Sequence, residues 1–143
     1  MTYTASLAAK HYAQVGLESG VMSASPHQLI VLLYEGAEQA VRLALRHMHN
    51  GDLAAKAVAV SKADSIIQDG LRAALDPDQG GKLAGQLESL YDYMSQRITL
   101  AHVRNDPAPL EEVLGLLREL REAWLQIGAA SRAPQKSAHS IAA

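Results

Sequence analysis

The stretch from Ala24 to Ala37 constrains this chain more than any other. Ser25, Pro26, His27 and Gln28 mark a helix start, and Leu29 to Tyr34 then runs apolar without interruption. Ser25 can accept a hydrogen bond from the backbone donor three residues on, Gln28 can return the reciprocal bond, and Pro26 fits the first turn. An amphipathic helix needs one apolar stripe at every third or fourth position. Ile30, Leu33, Ala37, Val41, Ala44 and Met48 supply it, yet Leu29, Leu32 and Leu43 make a second stripe. Such a helix either sits in the middle of a bundle, buried on most sides, or keeps a spare apolar face for another chain.

The 143 residues are enough for one domain with a proper core. Leu, Ala, Ile and Val must build that core, because there is no Phe, one Trp and 4% aromatic residues in all. With few Pro and Gly inside the periodic segments, this balance favours helices over sheets. A net charge of −2, with no dense Lys or Arg block, argues against a nucleic-acid or anionic-membrane footprint. Without cysteine there is no disulfide scaffold, thiol catalysis or zinc ribbon. Residues 1 to 24 hold no apolar run of signal-peptide length, and no segment approaches the roughly 20 apolar residues that span a bilayer. The expected location is the cytoplasm.

Four helices are predicted. Residues 1–23, with Tyr12, Val15, Val21 and Met22 irregularly spaced and Gly16 and Gly20 between them, read as a mobile arm with apolar anchors. The first helix runs from about Pro26 to His49 and stops at Asn50-Gly51. The second follows Asp52 with Leu53, Val60, Ile67, Leu71 and Ala74 at helical spacing, and Asp76 to Gly81 reads as a plain turn. The third spans about Lys82 to Arg104, with Leu83, Leu87, Leu90, Tyr91, Met94, Ile98 and Ala101 on one face. Asp106 and Pro107 open the fourth, whose core stripe is Leu110, Val113, Leu114, Leu117, Leu120, Trp124 and Ile127, with Gly128 as its stop. Short links make sequential helices neighbours, so an antiparallel four-helix bundle over residues 24–128 is the simplest packing, and residues 129–143 read as a disordered tail.

No active site assembles from these residues. His47 and His49 lie two apart and point to different sides of a helix, whereas ligands sharing a face need three or four residues between them. Ser19 misses the nucleophile-elbow spacing, and Gly80-Gly81-Lys82 lacks the rest of a phosphate loop. Glu35 and Glu38 share a helix face as solvated charge, while Asp64 falls near the core stripe of the second helix, where it should be paired or hydrogen-bonded. Neither a metal nor another cofactor is expected. Apolar surface in excess of the bundle's need points instead to a protein partner.

An ordered set of short segments carries a family resemblance. Tyr12-Ala13-Gln14-Val15, Ala24 to Ile30, Leu33 to Ala37, Gly51-Asp52, Lys62-Ala63, Ile66-Ile67, Gly80-Gly81, Leu90 to Met94, Arg104-Asn105-Asp106, Glu111-Glu112-Val113 and Ala123-Trp124 follow one another as in the FliS family of bacterial flagellin export chaperones. The chain resembles that family from about Tyr3 to Ile127, leaving only the tail unaligned. The resemblance implies a cytoplasmic, nearly all-helical antiparallel bundle without enzymatic activity. It also implies binding of the C-terminal segment of new flagellin, a block on premature polymerisation, and delivery to the flagellar type III export gate. The N-terminal arm would cover part of the flagellin surface in the free chaperone and move away on binding.

A disordered client that folds on binding typically buries about 1,000 to 3,000 Å² and loses about 2 to 5 kcal/mol to ordering, so it needs an extended apolar surface. Tyr12 is the first candidate on family grounds, with Val15 beside it on the arm. Leu29 and Leu32 of the second stripe follow, with Tyr34, Tyr91 and Tyr93 as amphipathic contacts. The competing reading puts several of these in the core, Tyr91 above all. A monomer or weak homodimer is expected, and a flagellar adaptor for another protein, such as an anti-sigma factor, is the alternative function.

Overall fold

The computed structural model describes residues 25–132, so Tyr12 and Val15, the arm and residues 133–143 lie outside the described residues. Helix α1 spans Pro26–His49. Its start is the reciprocal cap read from the sequence: the Gln28 backbone N–H donates to Ser25 Oγ at 3.1 Å, and the Ser25 N–H donates to Gln28 Oε1 at 2.9 Å. Gly51, at φ 74°, turns the chain after α1. Asp52 then accepts from the Ala55 N–H at 3.1 Å and starts α2, Leu53–Ser65.

Helix α2 passes directly into a π-helical segment, Ile66–Arg72, where the sequence predicts continuing α-helix. A Cβ at Gly70 would come within 2.7 Å of Leu33 Cδ2, so glycine permits the close approach of this widened segment to α1. Helix α3 spans Pro77–Arg104 and α4 spans Pro107–Arg132. The predicted plain turn at 76–81 is instead a first turn of helix. Asp76 Oδ1 accepts from the N–H groups of Asp78 and Gln79, and Gly81, at φ 53° and ψ −127°, kinks the helix after it. Gly128 does not stop α4, because a glycine away from a cap lowers helix stability by only about 1 kcal/mol.

The fold is all-α, with no strand among the described residues. Contacts of Gln68 with Ser95, and of Lys56 with Asn105, show α2 and its π extension running antiparallel to α3. Helix α1 packs against both α2 and α4, which resolves the excess of apolar residues: it is the central helix. Its buried arc takes in Leu29, Leu33, Tyr34, Ala37, Ala40, Val41, Ala44 and Met48. Ile30, predicted in the core, is half-buried, and Leu29, predicted on the spare stripe, is buried. Leu53, Leu83 and Ile127 were also expected inward, but all three are exposed: Leu53 is the first residue of α2, Leu83 lies two residues past the Gly81 kink, and Ile127 lies in the last two turns of α4.

Among the described residues, two charges are buried. Glu38, expected in solvent, is 1% exposed and accepts from Arg121 Nε on α4 at 2.6 Å and from Arg42 at 3.3 Å. Arg121 is 83 residues away, so no local pattern announces it. Lys56 donates to the His102 carbonyl at 3.2 Å and to Asn105 Oδ1 at 2.8 Å, neutralising the carbonyl-rich end of α3.

Candidate functional site

Among the described residues, one end of the bundle is left open. The first turn of α1 brings Pro26, His27 and Ile30; the end of the π segment and its link bring Leu71 and Leu75. The kinked start of α3 brings Leu83, Leu87 and Tyr91, and α4 brings Trp124. Together they line a groove of about 320 Å³. Its wall is apolar because three periodic stripes reach this end of the bundle and the Gly81 kink separates α3 from a fully packed course. Leu83, at 59% exposed, forms part of the open rim.

Tyr91 is both core and groove, only 2% exposed yet part of the lining. Its hydroxyl meets that of the fully buried Tyr34 at 2.5 Å, a bond in which either oxygen can donate. Burial pushes both phenols above their ordinary value, and in Tyr34 hydrogen bonds from Tyr91 and Trp124 offset part of that rise. The pair therefore stays neutral at any physiological pH. At the rim, the His27 ring lies 5.3 Å from that of Trp124 at a tilt of 50°, and His27 Nε2 hydrogen-bonds the Trp124 carbonyl, tying the start of α1 to α4.

Of the candidate contact residues, Leu29 and Tyr34 are buried and present no surface to a partner in this conformation. Leu32 is half-buried against the core. Tyr93 is 40% exposed, outside the groove, and donates to Glu112 Oε2 at 2.5 Å, while Arg97 donates to the other carboxylate oxygen at 2.6 Å. Those bonds, from Tyr93 and then Arg97, hold the Glu112 carboxyl below its usual range. Among the described candidates, Tyr34 and Tyr91 are joined by a hydrogen bond and share the core cluster with Leu29. The groove residues that sequence reasoning missed are Ile30, Leu71, Leu75, Leu83, Leu87 and Trp124; all sat on predicted core stripes or helix ends, and no one-dimensional signal separates a stripe that closes from one that stays open.

The arrangement has the chemistry of a binding surface. Among the described residues, no group of three or more His, Asp or Glu side chains is placed to hold a metal ion, and no helix is long and apolar enough to cross a membrane.

Comparison with known proteins matches residues 8–131 to the family described as flagellar protein FliS. The chain is 53% identical over 125 residues to the flagellar secretion chaperone FliS of Salmonella typhimurium, covering 87% of this chain and 92% of that one. It is 42% identical to the flagellar secretion chaperone FliS of Escherichia coli, over 79% of this chain and 83% of that one. For the Bacillus subtilis protein of the same name the identity is 32%, over 87% and 92% of the two chains. A secretion chaperone acts by holding another polypeptide, which is the chemistry an apolar groove offers, and this chain belongs to the FliS family of flagellar secretion chaperones.

Proposed function

We propose that this export chaperone binds the C-terminal segment of flagellin in the cytoplasm, keeps it from premature polymerisation, and delivers it to the flagellar type III export gate. The observation that carries this reading is the open apolar groove at one end of an otherwise packed bundle. Its floor is a neutral tyrosine pair and its rim carries Leu83 and Trp124, so it suits apolar side chains of a segment that has no core of its own until it binds. In this reading the groove seats an anchor, and the rest of the segment runs over positions outside it that include the half-buried Leu32 and the exposed Tyr93.

Residues 1–23 act in this reading as an arm, with Tyr12 and Val15 as anchors that occupy the client surface until flagellin displaces them. Support comes from Pro26 and His27, which follow the arm closely in sequence and line the groove. Co-purification with full-length flagellin, against flagellin lacking its C-terminal segment, tests the function. Only the full-length form should be retained. Equal retention of both forms would contradict the C-terminal seat, and retention of neither alongside capture of a purified anti-sigma factor would favour the adaptor function.

A further inference from the structure

The α4 wall of the apolar groove has little core beneath it. Helix α4 places Leu110, Val113 and Leu117 in the fully buried core, but none of its later side chains among the described residues is fully buried. Trp124, half-buried, is the one of them that lines the groove. Arg121, one turn earlier, ties α4 to Glu38 of α1. Beyond that ion pair Leu125, Gln126 and Ile127 are exposed, so the wall at Trp124 needs a further hold.

His27 supplies it from the first turn of α1. Its Nε2 donates to the Trp124 carbonyl, which can take a bond beyond its helical one because it has two lone pairs. The imidazole also lies against the indole, with centroids 5.3 Å apart, so one side chain grips both the backbone and the ring of Trp124. On the core side, the buried Tyr34 hydroxyl takes a hydrogen bond from Trp124. Gly128 makes room for this clasp. A Cβ there would fall 2.2 Å from His27 Cε1 and 2.7 Å from each ring nitrogen. Glycine inside a helix is unfavourable relative to alanine, and here its bare backbone admits the imidazole.

We propose that His27 is a positioning residue for the client: seated on Gly128, it fixes Trp124 as a wall of the groove and so sets the affinity for the segment bound there. This rests on the reading of the groove as the client's seat. The effect of His27 passes through Trp124.

Titration calorimetry of the full chain against the C-terminal segment of flagellin tests the proposal. Acrylamide quenching of Trp124, the chain's one tryptophan, is a second readout that needs no client. His27→Ala should bind the segment about fivefold more weakly, and its tryptophan should be quenched more steeply than the parent's. His27→Gln, which keeps a side-chain N–H donor, should recover part of both losses. Gly128→Ala separates positioning from stability. Alanine is the better helix former, so the melting temperature should stay near the parent's, yet its methyl group displaces the imidazole and the affinity should fall as in His27→Ala. The double variant should be no weaker than either single one, because both remove the same contact.

Parental affinity or parental quenching in His27→Ala, no recovery by His27→Gln, or losses that multiply in the double variant would each overturn the proposal. Leu83→Asp, at the rim of the groove, distinguishes this failure from that of the function. If Leu83→Asp weakens binding and His27→Ala does not, the client sits in the groove without help from His27. Parental affinity in both variants places the client elsewhere, and both readings fall.

Discussion

The two halves of α1 are treated differently by the helices around them. In the second half, Ala40, Val41 and Ala44 are small, and the surrounding helices close over them with Ala59, Val60, Ala63, Ile98, Ala101 and Val113 in one continuous core. In the first half the buried side chains are larger, Leu29, Leu33 and Tyr34, yet this half borders the open groove. Small residues let helix backbones approach. At the other end, the π segment and the Gly81 kink keep two of the four helices from following a straight course. One half of the bundle stores stability, and the other exposes apolar surface that stability alone would have buried.

The sharpest way to break that division is a cavity in the closed half. Ile98→Ala should cost about 2 to 5 kcal/mol by denaturant unfolding, because a fully buried branched side chain is lost where neighbours cannot collapse around it. An equal cost for truncating the half-exposed Leu87 in the open half would erase the contrast.

Next comes the charge between the halves. Arg121→Ala should cost about 1.5 to 3 kcal/mol, since Glu38 would keep only its longer contact with Arg42. A change within about 0.5 kcal/mol would mean that the buried carboxylate does not depend on α4.

The floor of the groove gives a smaller effect. Tyr34→Phe should cost about 1 to 2 kcal/mol by leaving the Tyr91 hydroxyl without its partner. The same pair fixes a pH limit. Both phenols have folded pKa values raised above the unfolded value near 10, so their contribution is complete below about pH 10 and is lost as pH rises above it. Tyrosinate absorbance from these two residues should therefore appear only together with loss of helical circular dichroism. Ionisation of all tyrosines in a still-folded protein would show that the floor is wet.

Most of the fold was legible in the sequence, and the reasons are local. Ser25 with Gln28, Asp52 and Pro107 act within one turn and appear as expected, and the apolar spacing places most of each helix's buried face, with Ile30, Leu53, Leu83 and Ile127 as exceptions. What escaped depends on distant residues. Glu38 reads as surface until Arg121 arrives, the close approach of the π segment to Leu33 needs Gly70, and Leu83 departs from its stripe because its part of α3 lies beside a kink. The groove was hidden for the same reason, since Leu87 and Trp124 obey the core pattern in one dimension and differ from true core only in what fails to cover them.

The smallest change in stability should come with the largest change in binding. Leu83→Asp replaces an exposed rim residue and should leave the melting temperature nearly unchanged. Val58→Asp makes the same exchange on α2 at another exposed apolar position that does not line the groove. Titration calorimetry of both variants against the C-terminal segment of flagellin measures the seat of the client directly. The groove predicts an affinity loss of about tenfold or more for Leu83→Asp and parental affinity for Val58→Asp. Parental affinity for Leu83→Asp, or an equal loss for both, would contradict a client seated in the groove.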